Sequence, residues 1–182
     1  MRRSLVLRRL TLSSKWRRAI WYFFYIIFFR FSPLFFYGWR NSLLRLFGAK
    51  VGVRVHVYPS AKVWAPWNLV MGDSSCLGPY VDCYTVDKVY IGAGATVSQY
   101  SFLCTASHDY TQASMPLATA SITIGANAWI AADVFVGPGV SIGEGTVVAA
   151  RSSVFKDLPA WVVAIGSPAL PIKPRLINGK KP

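Results

Sequence analysis

Counted in sixes from Ile124, the chain carries Ile124, Ile130, Val136, Ile142, Val148 and Val154 without a miss. The residues that follow them are Gly125, Ala131, Gly137, Gly143, Ala149 and Phe155, small in five of six. A helix repeats every 3.6 residues and a half-buried strand every two, so neither sustains this spacing. A β-solenoid does. Its coils lie about 4.8 Å apart, so each inward side chain stacks on its equivalent in the next coil and must stay branched and of constant size, while the turn beside it must be small. The same phase runs through Ile91, Val97 and Leu103, and earlier through Val51, Val57 and Val63. It slips at residues 65–67 and again at 85–88. The largest slip lies between Leu103 and Ile124, where 21 residues separate positions that one uninterrupted turn of three hexads would set 18 apart. Slips mark loops leaving the coil, and His108, one of two histidines, lies in the largest.

The first 54 residues are a different text. They hold twelve Lys and Arg and no acid, against eight basic and seven acidic residues in the rest, so nearly all of the formal charge of +13 sits there. Residues 19–29, "AIWYFFYIIFF", form an unbroken apolar run that spans about half of a bilayer's hydrocarbon core at 1.5 Å per residue. Extended to Trp39 the run is long enough but includes Arg30, Pro33 and Gly38. The late start, bulky aromatics and missing cleavage site argue against a signal peptide. After Pro33, apolar residues recur at Phe36, Trp39, Leu43, Leu46 and Phe47 with Arg40, Asn41 and Arg45 between them, which predicts an amphipathic helix stopped by Gly48. Two helices bent at Ser32-Pro33 describe an arm that engages a membrane surface through residues 1–47, or packs on a neighbouring subunit. A nucleic-acid partner is disfavoured, since the aromatics form one greasy block rather than stacking platforms spaced among cations. A chain starting near Gly48 should, on this reading, be soluble, provided the trimer does not itself need the arm. The division is an arm over 1–50, a solenoid over 51–172 and a basic tail over 173–182.

Three cysteines, Cys76, Cys83 and Cys104, make no disulfide framework, and their spacing lacks the pairing of a zinc site; buried thiols and no metal are the expectation. Ser107, His108 and Asp109 are consecutive and cannot converge as a hydrolase triad.

The hexads together with "CTASHDYTQASMPL", "ITIGANAWIAADVFVGPGVSIGEGTVVAARSSVFKDLP", "VVAIGSPALPIKP" and the entry "LLRLFGAKVG" resemble the left-handed β-helix hexapeptide acyltransferases. Within that family the chain is most similar to the colanic-acid-type acetyltransferases of bacterial exopolysaccharide clusters, over roughly residues 15–175. The resemblance implies an all-β, left-handed parallel β-helix with an N-terminal helical arm, assembled as a homotrimer with active sites between subunits. It also implies acetyl transfer from acetyl-CoA to a hydroxyl or amine without a covalent enzyme intermediate.

Residue by residue, the resemblance makes His108 the general base, with Asp109 as a candidate to orient its ring. Asp82 of "GPYVDCY" stands where relatives carry Asn to contact the acceptor; an exposed turn aspartate is the plainer alternative. Trp129 of "AWIAAD" would line the acyl end, and the amide of Ala132 would meet the thioester oxygen. Ala150 and Ser152 of "AARS" would line the CoA groove, with Arg151 replacing the usual glycine. Lys173, and with it Arg175, would grip the CoA phosphates, since Leu170 replaces the family's Arg. The expected function is O-acetylation of a saccharide intermediate, lipid-linked if the arm recruits it, at the cytoplasmic face of the bacterial inner membrane. The competing expectations are a non-catalytic carbohydrate-binding scaffold and an acyltransferase with another acyl chain or an amine acceptor.

Overall fold

The structure, a computed structural model, describes the backbone of residues 6–7 and the chain from 12 to 178. Three parallel sheets form the faces of a left-handed β-helix. The first face stacks Lys50–Val51, Leu69–Met71, Val89–Ile91, Ile122–Ile124 and Ser141–Ile142. The second stacks His56–Val57, Cys76–Leu77, Thr96–Val97, Trp129–Ile130, Val147–Val148 and Val162–Gly166, and closes with antiparallel Ala169–Pro174. The third stacks Lys62–Val63, Asp82–Tyr84, Phe102–Cys104, Phe135–Val136 and Ser153–Val154.

Strands of two or three residues have no independent stability, so the inward ladders hold them. Met71, Ile91, Ile124 and Ile142 line one edge, Val57, Leu77, Val97, Ile130 and Val148 the second, and Val63, Cys83, Leu103, Val136 and Val154 the third. All are buried. Each such side chain contributes about 1.5–3 kcal/mol on burial. Glycine is required where coils touch: a Cβ on Gly92 or Gly125 would strike the backbone of Ala126 or Glu144.

All three slips fall at the corner where the third face hands over to the first. The two small ones are not excursions but wider corners, the first a 3₁₀ turn at Pro66–Asn68 that lengthens the coil to 20 residues (Val51 pairs with Met71). The third corrects the hexad count. Leu103 and Ile124 lie on successive faces, six apart in an unbroken coil, and Ile91 pairs with Ile124 33 residues on where Ile124 and Ile142 are 18 apart. The excursion therefore adds about fifteen residues rather than three.

The arm runs as α1 (Leu12–Phe24), a π-helical turn (Tyr25–Phe29), a bend at Ser32-Pro33 and α2 (Tyr37–Leu46), and Gly48 ends it with φ +93°. Its inner side belongs to the solenoid. Trp21, Tyr25, Phe29, Leu43 and Leu44 join the buried core, and the Trp21 indole donates to the Val63 carbonyl at 2.7 Å. The stripe predicted for α2 holds only at Leu43, which is in the core, and Phe47, which packs against it. Arg40 and Asn41 face inward and are buried, while Phe36, Trp39 and Leu46 face out. The reason is the open first coil, whose edge carbonyls need donors. Arg40 Nε donates to Val57 O at 2.6 Å and its Nη atoms to Ser32 Oγ, Pro33 O and Leu34 O, while Asn41 Nδ2 donates to Val55 O at 2.8 Å. Removing the arm would bare this end, so a chain starting near Gly48 is expected to aggregate rather than stay soluble.

Candidate active site

His108 lies on the excursion, which folds as a hairpin: Ala106–His108 pairs antiparallel with Leu117–Thr119, and Val6–Leu7 adds a third strand. Two buried threonines fasten its base to the coil below. Thr105 Oγ1 donates to Tyr84 O at 2.7 Å and accepts from the Asp87 amide, and Thr119 Oγ1 donates to the Asp87 carboxylate at 3.1 Å. The hairpin thus leaves a rigid corner and carries an exposed imidazole.

His108 Nδ1 lies 2.7 Å from the Met115 carbonyl. A carbonyl only accepts, so the shared proton is the ring's, and in the neutral imidazole the lone pair is left on Nε2. Asp109 does not do this work. Its carboxylate accepts from Thr111 Oγ1 at 2.6 Å, Gln112 Nε2 at 2.7 Å and the Thr111 amide, bonds that hold its pKa below the usual range and fix the hairpin's tip. A backbone carbonyl seven residues on carries no side-chain signature, so Met115 could not be read from the sequence. The other histidine, His56, stacks on Tyr37 with centroids 4.4 Å apart and is part of the arm's seat.

Asp82 is half-buried on the third face, registered between Lys62 and Phe102. Burial pushes its pKa up and Lys62 pulls it back. It lines a cavity of about 580 Å³ between that face and α1.

Trp129 is on the second face, half-exposed, its indole N–H donating to Ser98 Oγ at 2.9 Å. The corner beyond it forms a shallow recess lined by Tyr100, Ala132, Asp133, Ala150 and Arg151. The Ala132 N–H donates to no group among the described residues. Arg151 adopts φ +59°, the left-handed conformation glycine adopts freely, and lies 3.6 Å from Asp133. Ser152 does not line this recess: it points inward, buried, and its Oγ accepts the Gly166 N–H at 3.2 Å. Lys173 is exposed on the closing strand, opposite Val163. Arg175 is half-buried and anchored, its Nη1 donating to Asn127 O and Gly145 O at 2.9 and 2.7 Å. No hydrogen bond among the described residues joins His108 to Asp82, Trp129 or Ala132.

Cys83 is fully buried, its thiol pKa pushed far up by burial, while Cys76 and Cys104 are half-buried. Among the described residues no three His, Cys, Asp or Glu side chains converge as a metal site.

Residues 121–156 match the family model "Bacterial transferase hexapeptide (six repeats)". The chain is 48% identical over 157 residues to the "Putative colanic acid biosynthesis acetyltransferase WcaF" of Escherichia coli (strain K12), covering 86% of each chain. The chain belongs to the hexapeptide-repeat acetyltransferases. To the galactoside O-acetyltransferase of Escherichia coli (strain K12) this acetyltransferase is 34% identical over 140 residues, covering 74% of this chain and 68% of that one. Among solved structures, the maltose O-acetyltransferase from Clostridium difficile 630 matches with a TM-score of 0.83 at 25% identity, over 92% of this chain and 90% of that one. In this acetyltransferase the hairpin thus leaves the corner between the third and first faces, and the recess runs along the corner between the second and third.

Proposed function

We propose that this acetyltransferase uses acetyl-CoA to O-acetylate a saccharide intermediate of bacterial exopolysaccharide synthesis, with His108 as general base. The observation that carries this is the Nδ1 bond to Met115, which fixes the tautomer and leaves Nε2 as an exposed base at the end of a rigid hairpin. The relatives' names support the rest: a colanic acid biosynthesis acetyltransferase, and O-acetyltransferases of galactosides and maltose. A galactoside acetyltransferase and a Vibrio cholerae hexapeptide acetyltransferase of the same fold are described in complex with coenzyme A and acetyl-CoA.

In this mechanism the acceptor hydroxyl gives its proton to His108 Nε2 as its oxygen attacks the thioester carbonyl carbon. The new C–O bond leaves an oxyanion, for which the unpaired Ala132 N–H is a donor. Collapse breaks the C–S bond, and the departing thiolate takes the proton from Nε2, giving an acetyl ester and free CoA. A base of this kind contributes about 10²–10⁴ in rate. Ala132 and Ala150 leave room for the pantetheine arm beside Trp129, and Lys173 is a cation for the CoA phosphates.

Three copies complete the site, the hairpin of one serving the recess of the next. Trp16, Ile20, Phe23 and Ile27, spaced four, three and four along the arm, are all exposed, which supports seating the enzyme on the cytoplasmic face of the inner membrane near a lipid-linked acceptor. No helix among the described residues is long and apolar enough to cross a membrane. The test is mass spectrometry of exopolysaccharide and lipid-linked intermediates from cells with and without the protein. Loss of one acetyl ester per repeat unit is expected without it, and unchanged acetylation would overturn the reading.

A further inference from the structure

The cavity between α1 and the third face carries Asp82 on one wall and, around it, cations that the transfer step itself does not use. Lys15, Arg18 and Tyr22 fall three to four residues apart and share one side of α1, adjacent to the outward stripe of Trp16, Ile20 and Phe23. The opposite wall is Lys62, Asp82 and Tyr84 of the third face. Three cations thus meet one carboxylate. Asp82 and Lys62 are registered partners on neighbouring coils, which leaves Lys15 and Arg18 as charge in excess. Arg18 is also preformed: its guanidinium lies 4.1 Å from the Trp64 ring centroid, and its Nε is shielded from solvent with no acceptor among the described residues. A guanidinium with an unpartnered Nε, lining one cavity with two ammonium groups, is a site for a phosphoryl oxygen.

We propose that this cavity binds the phosphate or diphosphate ester joining the acceptor sugar to its carrier, with the anion among Lys15, Arg18 and Lys62 and the sugar toward Asp82. The assignment rests on the proposed function insofar as the acceptor is a carrier-linked saccharide, and takes Asp82 as the acceptor contact that the resemblance implies. The volume of about 580 Å³ suits a diphosphate with one sugar, and the apolar stripe beside the mouth suits a carrier that is itself a lipid. A nucleotide carrier would present the same anion, so the experiment separates the two.

Isothermal titration calorimetry of the full-length protein in detergent would use inorganic pyrophosphate, farnesyl diphosphate and uridine-diphosphate glucose as probes. Pyrophosphate should bind, and Lys15→Gln with Lys62→Gln, both exposed positions, should weaken it at least tenfold. Asp82→Asn should strengthen it several-fold by removing the opposing charge. Farnesyl diphosphate binding more tightly than uridine-diphosphate glucose assigns the carrier to a lipid; the reverse order assigns it to a nucleotide. His108→Ala should bind pyrophosphate as the native protein does, so loss of acetyl transfer and loss of this site are read separately. Absence of binding by all three probes, or equal affinity in the double variant, would overturn the proposal. So would a double variant that loses phosphatidylglycerol vesicles yet keeps pyrophosphate, because the cations would then serve the bilayer.

Discussion

Val136 in the coil and Phe23 in the arm are both large apolar residues in strongly apolar stretches, yet the first is fully buried and the second 57% exposed. In the coil, burial follows from repetition, since Val136 stacks between Leu103 and Val154 whatever else the chain does. In the arm, burial depends on which surface each side meets. Trp21, Tyr25 and Phe29 meet the first coil, while Trp16, Ile20 and Phe23, on the other side of the same helix, stay outside the core and exposed. Local periodicity specifies a solenoid; an arm is specified only with its seat.

The sharpest way to break this contrast is to charge the ladder. Val136→Asp places a carboxylate among stacked aliphatics, a cost of several kcal/mol, and soluble folded protein should be lost, as followed by circular dichroism and size exclusion. A folded, active variant would mean the ladder is misassigned. Next is the seam. Arg40→Met keeps bulk but leaves the Val57, Pro33 and Leu34 carbonyls without their donor, so a loss of about 3–5 kcal/mol in denaturant unfolding is expected. A change below about 1 kcal/mol would mean that water serves these carbonyls as well. On the outer side, Ile20→Ser with Phe23→Ser should alter stability by no more than about 0.5 kcal/mol while releasing the protein from anionic vesicles in flotation. Retained flotation would assign the stripe to a subunit contact.

The smallest effect expected is at Asp82. Because burial raises its folded pKa, the charged carboxylate destabilises the fold above that pKa, and the penalty vanishes below the unfolded value. Asp82→Asn should therefore raise the thermal midpoint at neutral pH, and the gain should fade as the pH drops through the folded pKa. A pH-independent difference would point to lost hydrogen bonds instead.

What the sequence revealed follows the same division. The three ladders and the corner carrying His108 were legible because each depends on neighbours at fixed spacing. The length of the excursion was not, since the period tells which face a residue joins only when the faces between are counted correctly. Arg40 and Asn41 read as a polar face because the Val57 and Val55 carbonyls that they serve, 17 and 14 residues on, leave no trace in a helical pattern. Ser152 and Arg175 were read as ligand contacts by resemblance, yet one turns inward to the Gly166 amide and the other ties two corner carbonyls.

The account stands most directly on Nε2 of His108. Steady-state acetyl transfer and acetyl-CoA binding should be measured for full-length His108→Ala beside the native protein, once the acceptor is in hand from the polysaccharide comparison. The account predicts kcat lower by about 10²–10⁴ with the acetyl-CoA Kd nearly unchanged, because a base moves the acceptor's proton and does not hold the donor. Native turnover in the variant would contradict it.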